Sequence, residues 1–152
     1  MEAINIDTGT RKRLLSIVVP LYNEEQGFDR LIEELLKVEK VISTKGILVE
    51  FVFVDNDSGD ETWANLQSLF ADNSNGFEIT IIKHLKNLGM QASLVSGISV
   101  SHGQAVAVVQ ADLQDPPELL SIMADHWISG ASFVSSRISK RDSSKFIRFF
   151  SW

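Results

Sequence analysis

The stretch VVQADLQDPPEL, residues 108–119, sets Gln110, Asp112 and Gln114 at alternate positions directly after an apolar run. Side-chain oxygens two residues apart, one of them anionic, form a donor set for a hard divalent cation such as Mg2+ or Mn2+, which prefers carboxylate, carbonyl and water oxygens. A carboxylate carried out of the core on a strand end loses solvation unless a positive partner meets it. A cation bridging phosphates is such a partner. Asp115 has a simpler reading as the N-cap of the next helix, with Pro116 in the favoured first position.

A second acidic cluster is VDNDSGDET, residues 54–62. It fails as a calcium loop, because its glycine comes one position early and the twelfth residue from Asp55 is Leu66 rather than glutamate. A phospho-accepting aspartate site would need an acidic pair after VVP, and none is there. What remains is Asp55, a strand-end carboxylate able to accept hydrogen bonds from a base N–H or ribose hydroxyls. Ser58 and Glu61 read as a capping box. VVPLYNEE, residues 18–25, lacks the G-x-G-x-x-G of a dinucleotide fold, which argues against a nicotinamide or flavin cofactor. Glu24 and Glu25 would suit the first turn of a helix. In NLGMQASLVSGI, residues 87–98, the small residues Gly89, Ala92, Ser93, Ser96 and Gly97 allow a ligand or another backbone to come close. Lys86 is placed to meet a phosphate, and His84 stands at a strand end where it could touch ligand. His102 and His126 read as ordinary.

These residues need strands and helices to hold them. LLSIVVP (14–20) is an apolar run of strand length, ended by Pro20, which cannot donate to a ladder. Asn23 reads as a helix cap with Gln26 three residues on, before Phe28, Leu31, Ile32, Leu35 and Leu36 at helical spacing. The pattern repeats: ILVEFVFV (47–54) precedes a helix bearing Trp63, Leu66, Leu69 and Phe70. FEITIIKHL (77–85) precedes a small-residue helix over 90–101, and QAVAVVQA (104–111) precedes a helix from Pro116 to about Trp127. ASFVSS (131–136) completes the set as a short fifth strand. Alternating strands and helices, with strands apolar on both faces, predict an α/β fold: a mostly parallel sheet with helices on both faces. Ligands of such sheets lie beyond the carboxyl ends of the strands, where the connections reverse. Residues 20–24, 55–60, 84–89 and 110–115 all fall on that edge.

With 152 residues, 44% of them hydrophobic, the chain suits one folded unit. Twenty acidic against fourteen basic residues give a net charge of −6, distributed as +4 from Arg137 onward and −10 before it. The acidic body argues against a nucleic-acid partner. The absence of cysteine excludes a disulfide frame and a thiolate metal site. No apolar run spans a bilayer, the opening residues lack a signal-peptide core, and no internal period points to a helical-repeat scaffold. The expectation is a cytoplasmic protein.

Together VVPLYNE, VDNDSGDET, KNLGMQASLVSGI and QADLQDPPEL resemble the family 2 glycosyltransferases of GT-A fold, above all the polyprenyl-phosphate glycosyltransferases. The motifs fall in family order and cover residue 14 to about 150. The resemblance implies a Rossmann-like nucleotide-binding half in which Pro20, Tyr22, Glu24 and Ala111 line the nucleotide pocket and Asp55 holds the base. It places Lys86, Gly89 and Gln91 near the diphosphate and ribose. Asp112 would coordinate Mg2+ or Mn2+ with Gln114 and Gln110 assisting, and Arg137 and Arg141 would meet the acceptor phosphate. Aspartate is common in the family at the positions of Gln110 and Asn56.

The implied reaction is metal-dependent, inverting transfer of a sugar from a nucleotide-diphosphate sugar to a lipid phosphate at a membrane face. The implied division is a lead-in over 1–13, a nucleotide-sugar-binding domain over 14–137, and a basic amphipathic segment over 138–152 suited to a membrane surface. Family members continue further, into the acceptor region and its general base. The expectation is therefore a donor-binding part of a transferase, and the alternative is a non-catalytic nucleotide-binding module.

Overall fold

A computed structural model describes residues 13–72 and 76–136. In chain order the elements are β1 (Arg13–Leu21), α1 (Phe28–Ser43), β2 (Ile47–Asp55), α2 (Thr62–Ala71), β3 (Glu78–Lys83), α3 (Met90–Val100), β4 (Ala105–Val108) and α4 (Leu119–Ile128). The four strands form one parallel sheet in the order β3-β2-β1-β4. The chain steps outward from β1 through β2 to β3, then crosses back to lay β4 on the other side of β1. That reversal makes the gap between the carboxyl ends of β1 and β4 the switch point of the fold.

Each central strand splits its apolar side chains between two layers, as the two-residue period requires. Ile17, Val19 and Leu21 of β1, with Phe51 and Phe53 of β2, meet Leu31 and Leu35 of α1, Leu66 of α2 and Leu120 of α4 in the main core. Lys45, just before β2, reaches across this layer to Asp125 of α4 at 2.6 Å. The opposite face is thinner: Val18, Val52 and Val54 pack against Leu94 of α3 and Ile82 of β3. α3 lies very close there. A Cβ on Gly97 would fall 2.4 Å from Cγ1 of Val18, and Ser93 beside it is fully buried. Both open readings of the small-residue stripe thus resolve, at Ser93 and Gly97, toward helix–sheet packing.

Several local expectations are corrected. β1 runs through Pro20 to Leu21. Val18 accepts from Val109 on the β4 side, so Pro20, two residues on, faces the same side, where β4 has already ended and no donor is required. β4 is confined to residues 105–108 rather than 104–111. α4 begins at Leu119 instead of Pro116: consecutive prolines disfavour helix at the first of them, and the chain makes two tight turns, Leu119 N to Pro116 O and Leu120 N to Pro117 O, both 3.0 Å. Asp115 therefore caps nothing. The fifth strand over 131–136 is absent; after the turn at Gly130 (φ +102°) the described residues make no strand pairing. Among the described residues, no helix is long and apolar enough to cross a membrane. Arg13, the last residue of the expected lead-in over 1–13, already begins β1; residues 1–12 and the segment 138–152 lie outside the described residues.

Candidate functional site

The carboxyl ends of β1 and β2 carry two loops that hold each other. Asn23 N donates to Ser58 Oγ (3.0 Å), while Gly59 N donates to Asn23 Oδ1 (2.8 Å). Glu24 N reaches Thr62 Oγ1 (2.8 Å) and Glu25 N reaches Asp60 Oδ2 (3.1 Å). In return Glu61 N donates to Glu25 Oε2 (3.0 Å). Asn23 and Asp57 adopt left-handed backbone, φ +56° and +64°, conformations that Asn and Asp tolerate better than most residues. This corrects two capping assignments. α1 begins at Phe28 with Gly27 as its cap, and α2 at Thr62 with Glu61 as its cap, neither with a side-chain cap bond. The Asn23 and Ser58 side chains instead satisfy backbone donors of the facing loop.

Asp55 ends β2 beneath this double loop and is completely buried. Its Oδ2 accepts from Ser58 N at 3.3 Å. Its Oδ1 has no hydrogen-bond partner, the single buried side-chain polar atom in that condition among the described residues. An unpaired buried carboxylate oxygen is costly, and its persistence is a reason to expect a donor from outside the chain. Glu24, half-buried on the β1 loop, is held above its ordinary range, first by burial and then by the negative charges of Asp112 and Asp60. Carboxylates from the ends of β1, β2 and β4 thus share one rim.

Asp112 differs from expectation. It stands four residues past the end of β4 and is exposed, so the desolvation foreseen for it falls on Asp55 instead. Its Oδ1 accepts from Gln114 N at 3.2 Å, folding the loop back around Leu113, which takes φ +52°. Backbone strain of this kind at a non-glycine residue concentrates at functional loops. Gln110 and Gln114 are exposed beside it, while Ala111 and Pro20 are buried and Tyr22 is half-buried on the β1 side. Lys86 and Gln91 are exposed beyond β3, across β2 and β1 from Asp112, with Gly89 (φ +83°) capping α3 between them. Arg137 and Arg141 lie outside the described residues.

The donor chemistry around Asp112 fits a divalent ion shared with a ligand. Among the described residues no group of three or more His, Cys, Asp or Glu is arranged to hold a metal ion without help. One carboxylate with neutral amide oxygens suits Mg2+-type binding, in which waters and ligand phosphates fill the remaining positions.

Sequence reasoning noted Asn56 only as a departure from the family's aspartate and missed its bonding role; it is 2% exposed. Its Oδ1 accepts from Leu88 N (2.9 Å) and meets His84 Nδ1 (3.0 Å), while its Nδ2 donates to Asn87 Oδ1 (2.8 Å). The available signal was its place at the end of a buried strand, next to Asp55.

Comparison with known proteins agrees with this architecture. Residues 16–151 match the description "Glycosyl transferase family 2". A Pseudomonas paraeruginosa undecaprenyl-phosphate 4-deoxy-4-formamido-L-arabinose transferase is 33% identical over 86% of this chain and 37% of its own length. A dolichol-phosphate mannosyltransferase of Pyrococcus furiosus is 28% identical over 83% of this chain and 34% of its own. The chain spans between 34% and 41% of the length of such curated relatives. Among solved structures, the Pyrobaculum calidifontis mannosyltransferase PcManGT, in complex with GDP-Man and Mn2+, superposes with a TM-score of 0.61 at 19% identity, covering 76% of this chain and 32% of that one. The parallel sheet, the acidic rim at its switch point and the family match over nearly the whole chain lead to one conclusion: this chain belongs to glycosyl transferase family 2.

Proposed function

We propose that the chain carries the donor-binding part of a transferase that moves a sugar from a nucleotide-diphosphate sugar to a polyprenyl phosphate. The observation that supports it most is the orphaned Asp55 Oδ1, a buried acceptor at the strand ends awaiting a donor such as a base N–H or a ribose hydroxyl. Pro20, Tyr22, Glu24 and Ala111 would form the wall of the nucleotide site, with Lys86, Gly89 and Gln91 toward the diphosphate and ribose. Asp112, with Gln110 and Gln114, would hold Mg2+ or Mn2+ jointly with the diphosphate. When bound there, such an ion supplies Lewis-acid stabilisation of charge growing on the leaving diphosphate. The lipid acceptor is inferred from what the Pseudomonas and Pyrococcus relatives are named for, and Arg137 and Arg141 are the residues assigned to its phosphate. The transfer would take place at the inner face of a membrane, where the phosphate of a polyprenyl lipid is presented.

Titration with guanosine and uridine diphosphates, with and without Mn2+, tests the reading. Binding strengthened by Mn2+ is expected, and Asp112→Ala should weaken the metal-supported complex about tenfold or more. Binding indifferent to Mn2+ and to Asp112→Ala would remove the ion from this site. Binding of the diphosphates with no release of sugar from the corresponding nucleotide-sugars would identify a nucleotide-binding module.

A further inference from the structure

The loop between β3 and α3 is held by a buried histidine with both ring nitrogens engaged. His84 is 8% exposed; Nδ1 lies 3.0 Å from Asn56 Oδ1 and Nε2 lies 2.9 Å from Ser96 Oγ on α3. Its backbone N also donates to Asp55 O at 2.9 Å. The other end of the loop is tied to the same asparagine, through Leu88 N to Asn56 Oδ1 and through Asn56 Nδ2 to Asn87 Oδ1. Gly89 N closes the series on Asn87 Oδ1 at 3.0 Å.

This network fixes the chemistry of each member. A backbone N–H only donates, so the Leu88 bond makes the Asn56 atom facing it the carbonyl oxygen. His84 Nδ1 must then carry a proton to donate to that oxygen. In the neutral ring Nε2 is left as an acceptor for the Ser96 hydroxyl. The tip Leu85–Lys86 projects between the two anchors, with Leu85 98% exposed. Nothing in a buried core asks for so polar a clasp, yet it sets where Lys86 and the amino end of α3 stand relative to Asp55, the neighbour of Asn56.

We propose that His84, as its Nδ1–H tautomer paired with Asn56, is a positioning residue that holds the 84–89 loop and its Lys86 in the conformation that receives the diphosphate. The proposal rests on the donor-site reading above and adds a residue to it that touches no ligand.

Long-range proton–nitrogen NMR of the ligand-free chain reads the tautomer directly: a protonated Nδ1 is expected, and a protonated Nε2 overturns the inference. In His84→Ala, amide exchange at Leu88 and Gly89 should accelerate about tenfold while the β1 and β2 amides stay unchanged, and affinity for guanosine or uridine diphosphate with Mn2+ should fall by a similar factor. His84→Gln, which restores a donor toward Asn56, should recover part of both. If His84→Ala does not fold, Ser96→Ala frees only the α3 side of the ring, and a smaller loss of the same two quantities is expected. Exchange at Leu88 and Gly89 that ignores loss of the ring overturns the proposal, as does a loosened loop with undiminished affinity. Failure of the unmodified chain to bind either diphosphate sinks the donor-site reading instead, and the tautomer and exchange results distinguish the two failures.

Discussion

Glu50 interrupts the apolar strand ILVEFVFV and is 1% exposed, far from the rim that carries the other functional acids. It accepts from the Ser16 hydroxyl, from His102 N (2.5 Å) and Gly103 N (3.2 Å), and meets His102 Nδ1 at 3.1 Å. Gly103 N also donates to Ser16 Oγ at 2.8 Å, and a Cβ at Gly103 would lie 2.7 Å from Ser16 N. One carboxylate thus pins the turn that leads α3 into β4. Burial alone would raise its pKa, but the Ser16, His102 and Gly103 hydrogen bonds outweigh burial and hold it below the ordinary 4.5. A depressed folded-state value means stability present above the unfolded pKa and lost as pH falls through the folded one. Glu50→Gln should lower stability by about 1–3 kcal/mol near neutral pH and flatten the acid limb of the stability profile. Urea titrations at several pH values check both, and parallel profiles for the two proteins would refute the assignment. Glutamate in a buried run was the visible signal. Its partners were not, because Ser16 and His102 lie 34 and 52 residues away, and His102 read as ordinary.

At the scale of elements, α3 depends on a missing side chain. Its buried residues are Ser93 and Gly97, and the 2.4 Å approach of a Gly97 Cβ to Val18 leaves no room for a methyl group unless Val18 moves. Gly97→Ala gains helix propensity but should still lose about 1–3 kcal/mol to overpacking, measured as a lower denaturation midpoint. An unchanged midpoint would mean that the thinner layer yields easily. Continuous apolar runs of strand length revealed the first four strands, which are buried on both faces in β1 and β2. Helical spacing revealed α1 and α2, and the segments between later strands placed α3 and α4. The start of α4 was misplaced by the local effect of Pro116-Pro117, but those of α1 and α2 for a nonlocal reason. Asn23 and Ser58 have the residue types of caps, but their side chains meet the facing loop rather than their own helices. The fifth strand failed similarly, since the β-prone pair Phe133–Val134 within 131–136 cannot supply a partner.

Across the whole molecule, the order β3-β2-β1-β4 places Glu24 and Asp112 on either side of the switch point, with Asp55 one strand away. That these residues share one edge was readable from the alternation of strands and helices; the division of labour was not, because burial fell on Asp55 and Glu24 while Asp112 remained exposed. Glu24 makes the rim sensitive to pH. Burial, Asp112 and Asp60 raise its carboxyl above 4.5, so the folded state holds this proton more tightly than the unfolded chain. The resulting stability is present on the acid side and is lost as pH rises through the folded value. A cation at the rim opposes that loss by favouring the ionised carboxylate, and protonation in turn weakens the attraction for the cation. Mn2+ with guanosine diphosphate should therefore raise the melting temperature more at about pH 7.5 than at about pH 5, nearer the raised range in which Glu24 takes up its proton. Glu24→Gln removes this titration and should narrow the difference between the two conditions. Equal Mn2+-dependent shifts at both pH values, in the unmodified protein, would mean that the cation is held away from Glu24 and that the acidic rim is not a single electrostatic unit.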